Sequence, residues 1–308
     1  MKHALSLVAI LGTLFLTQGT LLAQRDLRPE LEKAFDAYYS ALAAGDAEKF
    51  RRSLPAFRYL RMRNQAISQG EKFPESFFEE VKRQGGFGID LKKLKHIKTV
   101  PRGSVAYMIY FHEESIYTGS DQSVPKQLVP VITSLLFVKE AEQWKFCEAE
   151  QAYLSKEDLR VAPATLAAKA QPNFRGSQGV LSGKLPSVPR EYPTPDYIGS
   201  IVISAENCRV TVKYNAETEP IEHSSYAGPL IGGLKRGKNV ISINVERLSV
   251  QRARVLKSRG TPHAEVKVVV YAARGTPLAE VFHFESDRLG EVKREFNVTD
   301  EVIKKAKQ

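Results

Sequence analysis

The chain has 308 residues, a net charge of +10, 43% hydrophobic and 26% charged residues, a balance ordinary for globular domains that can bury a core. At that length two domains are expected. The cationic excess is spread along the chain, which argues against a nucleic-acid partner, since that function wants one concentrated basic face.

In chain order, Met1, Lys2 and His3 form a short basic start. An apolar run, Ala4 to Leu16, follows, closed by Thr17, Gln18, Gly19 and Thr20. This three-part layout is that of a secretory signal peptide over residues 1–23, cut after Ala23, with Gly19 as the other option. The run is shorter than a bilayer-crossing helix needs, so no transmembrane anchor is expected after processing. No cysteine sits at either junction, which disfavours a lipoprotein. The expected address is the periplasm or the extracellular medium of a bacterium.

Next comes RDLRPELEKAFDAYYSALAAGD, where Leu27, Leu31, Phe35, Tyr38 and Leu42 recur at three- and four-residue spacings, one apolar helical stripe. Asp26 is placed to cap it, Pro29 falls in its first turn and Gly45 ends it. Asp46 caps a second short helix, AEKFRRSL, that Pro55 stops. A third pattern, PESFFEEVKRQGG, runs from Pro74 to Gly85 and Gly86. The period then becomes alternating: LKHIKTV, SVAYMIYFHE, QLVPVITSLLFVKE and QWKFCEAEQAY read as successive strands. Helices followed by a mostly antiparallel sheet is an α+β layout.

The pieces AFDAYYSALAAGDAEKF and FVKEAEQWKF, in this order of helices and strands, resemble the nuclear transport factor 2-like superfamily, with its SnoaL-like and ketosteroid-isomerase-like relatives. The resemblance covers about residues 26–155. It implies a cone-like curved antiparallel sheet wrapped around three helices, with a pocket at the open end. It also implies a homodimer formed through the sheet of this N-terminal domain, expected over residues 26–160. Some members are isomerases, dehydratases or hydrolases; many exported ones are binding modules.

An enzyme of that kind needs a general base and a donor facing an oxyanion. Tyr38, Tyr110 and His112 are the candidates, and Tyr38, Tyr39, Met108, Tyr110 and His112 the expected ligand-pocket residues. On SVAYMIYFHE, Val105, Tyr107, Ile109 and Phe111 alternate with Ala106, Met108, Tyr110 and His112. No aspartate falls on a strand where the isomerases carry their base: Asp36 and Asp46 lie on or beside helices and Asp121 in a loop. The acid/base set is incomplete, and aromatic residues at helical spacing usually pack as core.

Residues 161–195 are rich in Pro, Gly and small residues and read as a linker. Beyond it, YIGSIVISA, CRVTVKYNA, NVISINVERLSV, AEVKVVVYAA, AEVFHFES and EVKREFNV are short alternating runs. They predict a separate all-β sandwich over residues 196–308, with DEVIKKAKQ as a short terminal helix. GGLKRGKN resembles a phosphate-binding loop, but Asn239 replaces the required Ser or Thr and a strand follows. The sandwich's carbohydrate-module likeness rests on LKRGKNVISINV, with Tyr192, Tyr197, Tyr214 and Tyr226 as plausible sugar-facing rings.

Two basic clusters stand out, Arg51 to Arg63 and Arg247 to Arg259. A solvated face is the simpler reading of both; the second, through Arg247, Arg252, Arg254, Lys257 and Arg259, is a basic patch suited to an acidic cell-envelope polymer. The histidines lack metal-ligand spacing, and no cofactor is expected. Cys147 and Cys208 read as free buried thiols ahead of an interdomain disulfide. The function these features favour is an exported, non-catalytic binding or scaffold protein for a small apolar ligand or a protein partner. An isomerase or dehydratase and an acidic-polysaccharide binder are the alternatives.

Overall fold

A computed structural model of the chain describes residues 26–84, 89–117, 127–154, 161–174, 177, 179–214, 217–222, 224–271 and 277–305. The expected signal peptide, Gly85, Gly86 and Asp121 lie outside the described residues. The protein is α+β, with three four-stranded antiparallel sheets and several helices. Chain contacts divide it into two compact units, Met1–Tyr39 with Ile89–Leu185, and Ser40–Gly88 with Pro186–Gln308.

In the first unit, helix α1 (Arg28–Ala44) begins as expected: Asp26 Oδ1 accepts the Arg28 N–H at 3.0 Å. Its apolar stripe buries Leu31, Phe35 and Tyr38. The sheet follows in sequence order: β1 (Lys95–Arg102), β2 (Val105–Tyr117), β3 (Gln127–Glu140) and β4 (Gln143–Tyr153). The β3–β4 hairpin turns on Ala141 and Glu142, both at positive φ (48° and 62°), the geometry that two-residue hairpin loops favour.

This sheet is apolar on both faces. Every residue from Val105 to Phe111 and from Val131 to Val138 is buried, so the expected alternation of an inner and an outer face does not hold. Tyr110 and Phe146 meet α1 on one face, through Glu32 and Phe35. On the other face lies the stretch expected to be a linker. It forms α5 (Pro163–Lys169) and a 3-10 turn (Val180–Ser182), both packed on the sheet. Lys98 Nζ donates to the Ala168 and Ala170 carbonyls, Arg102 to that of Leu181, and Glu150 accepts the N–H groups of Asn173 and Phe174. Phe174 and Val180 are fully buried. Proline and glycine here shape a covering segment instead of a spacer, because an apolar sheet face left in water costs about 25 cal/mol per Å².

The second unit contains α2 (Ala47–Ser53), α3 (Ala56–Ser68) and α4 (Glu75–Arg83). Asp46 caps α2, accepting the Lys49 N–H at 3.0 Å. Helix α3 was not foreseen, because its buried stripe contains the polar Asn64 and Ser68 beside Phe57 and Ile67. Those polar groups are spoken for. Asn64 Nδ2 donates to the Arg190 carbonyl at 2.7 Å, its Oδ1 accepts the Tyr192 N–H at 3.2 Å, and Ser68 Oγ accepts the Gly232 N–H at 2.7 Å. These bonds join α3 to the chain at Arg190, Tyr192 and Gly232, within the unit that also holds α2 and α4.

The same unit holds two sheets, ordered β11-β10-β5-β8 and β12-β9-β6-β7. Their strands are β5 (Ile198–Glu206), β6 (Cys208–Tyr214), β7 (Glu217–Glu222), β8 (Ser225–Pro229), β9 (Gly237–Arg247), β10 (His263–Tyr271), β11 (Pro277–Ser286) and β12 (Gly290–Val298). Here burial does alternate, and Ile203, Val212, Ile243 and Val266 meet in one core drawn from both sheets. Two short helices complete the unit, α6 (Val250–Val255), within the stretch read from sequence as a basic patch, and α7 (Asp300–Lys305).

Asn239, the residue that spoils the phosphate-loop pattern, locks the turn before β9. Its Oδ1 accepts from Tyr214 Oη at 2.7 Å and Lys235 N at 3.0 Å. Its Nδ2 donates to the Lys235 and Gly237 carbonyls at 2.8 and 2.9 Å. The side chain is 4% exposed, and all four of its hydrogen-bonding positions are used. Replacing Asn239 by Ala is expected to lower unfolding free energy by about 3 kcal/mol in urea titration; a loss under about 0.5 kcal/mol would refute the lock.

Candidate functional site

Of the five residues expected to line a pocket, three are core. Tyr38 is 3% exposed with its ring 4.5 Å from Phe146, while Met108 and Tyr110 are fully buried. These three side chains are packed among their neighbours. Tyr39 is 38% exposed and stacks on Phe35 at 6.3 Å. His112 is half-buried on β2, paired with Val131. Met108 and Tyr110 are joined by a polar contact, Tyr110 Oη to Met108 Sδ at 3.5 Å.

Residues that sequence reading passed over gather around Tyr110. Its hydroxyl donates to Glu32 Oε1 at 2.9 Å, and the same oxygen accepts from Arg28 Nε at 2.7 Å. His96, across from Tyr110 in the β1–β2 register, lies edge-on to its ring at 5.4 Å and pairs Nε2 with Thr99 Oγ1 at 2.9 Å. The one available signal was the i,i+4 pair Arg28 and Glu32 beside the apolar stripe. Burial, then the Glu32 carboxylate, holds the Tyr110 phenol far above its ordinary range. Burial, then the Arg28 guanidinium, pushes His96 below its usual value.

Chemically the cluster is a clamp. The Glu32 oxygen facing Tyr110 already accepts from two donors, while a general base must aim a lone pair at substrate. Tyr110 is fully buried and presents no donor to an oxyanion. What the cluster does is tie the first turn of α1 to the sheet.

The second unit offers open concavities instead. A groove of about 590 Å³ lies on the outer face of the β12-β9-β6 sheet. The register sets its lining in transverse rows: Lys293, Ser242 and Lys213 side by side, then Glu291, Asn244 and Thr211. Lys235 and Lys238 close one end, and Lys238 pairs with Glu295 at 2.7 Å. Lys213, Lys235 and Lys293 carry no ion pair among the described residues. Tyr214 also borders the groove, but its hydroxyl is committed to Asn239 and burial pushes its phenol upward. A neighbouring hollow of about 460 Å³, between Tyr192–Asp196 and Gly232, shares Lys235.

Of the other rings read as sugar-facing, Tyr192 is buried, and Tyr197 donates to Asp300 Oδ1 at 2.7 Å with Arg236 over its ring. Arg247, Arg252, Arg254, Lys257 and Arg259 are all exposed, on the end of β9, on α6 and on the turn after it. Cys147 and Cys208 are both buried thiols outside any disulfide: Cys147 Sγ meets Ser177 Oγ at 3.5 Å and Cys208 Sγ the His263 carbonyl at 3.2 Å. Among the described residues no cluster of His, Cys, Asp and Glu is arranged to hold a metal ion, and no helix is long and apolar enough to cross a membrane.

Two outcomes test the clamp. Tyr110→Phe is expected to cost about 1 kcal/mol of stability without changing the fold. The NMR titration midpoint of His96 is expected below 6.5, and Arg28→Gln should move it upward without restoring the ordinary value, because burial remains. The folded state holds His96 neutral, so its contribution is present above that ordinary value and is lost as pH falls through the lowered midpoint. A midpoint at or above the ordinary value would contradict this.

No protein-family model matches the chain, and no curated protein matches it. A crystal structure described as that of a dehydratase from the nuclear transport factor 2-like family of Streptomyces avermitilis is similar to part of it. The match has 14% sequence identity, covers 41% of this chain and 95% of that one, and superposes with a TM-score of 0.22. At that score the likeness carries neither fold nor activity across to this chain.

Proposed function

We propose that the protein is an exported, non-catalytic binding or scaffold protein. In this reading the N-terminal part is a cone-like module of the nuclear transport factor 2-like kind that serves as scaffold. The paired C-terminal sheets are a β-sandwich whose outer groove holds an acidic, hydroxyl-rich polymer of the cell envelope.

The carrying observation is the groove itself. Lys213, Lys235 and Lys293, without ion pairs among the described residues, stand among Thr211, Ser242 and Asn244 on one sheet face. Ammonium groups attract carboxylate or sulfate, and hydroxyl and amide side chains exchange hydrogen bonds with sugar hydroxyls. The adjoining hollow at Lys235 suits a chain longer than one residue, since linked weak contacts gain from effective concentration. Export rests on the basic and apolar N-terminal run. The isomerase or dehydratase reading is less favoured, because Tyr38 and Tyr110 are buried and the Tyr110 hydroxyl is already bound to the half-buried Glu32 carboxylate.

The test is calorimetric titration of the mature chain with polygalacturonate and with neutral dextran. The acidic polymer should bind and the neutral one should not. Lys213→Glu with Lys293→Glu should weaken binding by roughly 10-fold or more, about 1.4 kcal/mol, and flatten its salt dependence. Equal affinity of variant and parent would remove the groove from the proposal.

A further inference from the structure

The basic patch at Arg247–Arg259 is left unused by the groove, and its structure holds a feature that charge alone does not explain. Helix α6 carries Val250 and Val255, exposed by 72% and 66%. These are the two most exposed large apolar side chains among the described residues. Single exposed apolar residues are ordinary; two such extremes on one six-residue helix, ringed by cations, form a pattern.

The helix is set to present them. At about 100° per residue, its outward arc takes in Val250, Arg254, Gln251 and Val255, while Ala253 and Leu256 turn toward the body of the unit and are half-buried. Ser249 Oγ accepts the Arg252 N–H at 3.2 Å to start it, and Lys257, at φ 53°, stops it. The following turn is pinned to the β5–β6 corner: Ser258 Oγ donates to Asn207 Oδ1 at 2.9 Å and Asn207 Nδ2 to the Thr261 carbonyl at 3.1 Å. A Cβ on Gly260, at φ 133°, would sit 3.0 Å from Asn207 Nδ2. The pinned turn holds Lys257 and Arg259 at the rim of a polar hollow of about 410 Å³ with Ser204, Asn207 and Ser225 on its walls.

We infer that α6 and this rim form a docking surface for a bilayer carrying anionic phospholipid. The valines enter the headgroup boundary, the arginines and Lys257 meet the negative surface, and a lipid phosphate occupies the hollow between Lys257 and Arg259. Charge complementarity and exposed apolar side chains on the same short helix are what an interfacial helix requires. A soluble polyanion would use the cations and ignore the valines, so the valines select the membrane as occupant. Glu206 also lines the hollow, opposed by the two cations Lys257 and Arg259, and Glu246 precedes Arg247 at the end of β9. The surface is independent of the lysine groove and stands whether or not that groove binds polymer.

Co-sedimentation of the mature chain with vesicles tests this, using pure phosphatidylcholine against vesicles with about 30% phosphatidylglycerol. The protein should pellet with the anionic vesicles and stay in solution with the neutral ones. Val250→Ser with Val255→Ser should lower vesicle partitioning about 10-fold while leaving retention on soluble dextran sulfate unchanged. Arg254→Gln, Lys257→Gln and Arg259→Gln together should abolish vesicle binding. The sites are exposed, so unchanged thermal unfolding of the variants is expected and separates lost binding from lost fold. The inference is overturned if the parent chain ignores anionic vesicles. It is also overturned if the valine variant pellets like the parent, which would make the patch a general polyanion site.

Discussion

The two central strands of the first sheet have no water-facing side, and much of the N-terminal architecture follows from that. Strands β2 and β3 are buried through Val105–Phe111 and Val131–Val138. A strand buried on both faces has to be covered twice. Helix α1 covers one face with Phe35 and Tyr38 against Phe146, and the chain following β4 returns over the other with Phe174 and Val180. The polar anchors Lys98, Arg102 and Glu150 bind that returning segment through its backbone, which suits a stretch rich in Pro, Gly and Ala with few side chains of its own to offer.

Double coverage also decides the chemistry. With both faces sealed, Tyr38, Met108 and Tyr110 become packing, and the Tyr110 hydroxyl must find a partner inside the protein. It finds Glu32, which Arg28 neutralises. The Glu32–Tyr110 pair is the way a buried phenol is satisfied.

In the C-terminal sheets the rule is the opposite one. Strands β5, β9 and β10 alternate buried and accessible residues, so one face of each sheet makes the shared core and the other stays in water. That outer face is free to carry Lys213, Ser242 and Lys293 in a row. Binding surfaces belong on such faces, because nothing in the core depends on which polar residues occupy them.

Much of the element order was legible locally. The α1 stripe, the Asp46 cap, the four strands of the first sheet and six later strands are all periodic or punctuated in ways that short-range physics dictates. Helix α3 was hidden because Asn64 and Ser68 occupy buried positions that only distant backbone partners make acceptable. Strands β7 and β8 were hidden because Pro220 and Gly228 weaken a strand signal; both strands lie at sheet edges, where such residues are tolerated. Helix α6 was hidden because a six-residue helix is held by its cap and by its turn's bonds to Asn207, not by period.

The segment LLFVKEAEQWKFCEAE shows where the line falls. Alternation and the short charged stretch Lys139–Glu142 were enough to determine a hairpin, since φ/ψ preference and side-chain period act within a few residues. Whether Phe146 faced a ligand or a helix, whether Cys147 found a cysteine or Ser177, and whether residues 161–195 were spacer or cover were decided only by tertiary structure. Those outcomes depend on which surfaces remain exposed after every other element has packed, and no local stretch of sequence contains that information.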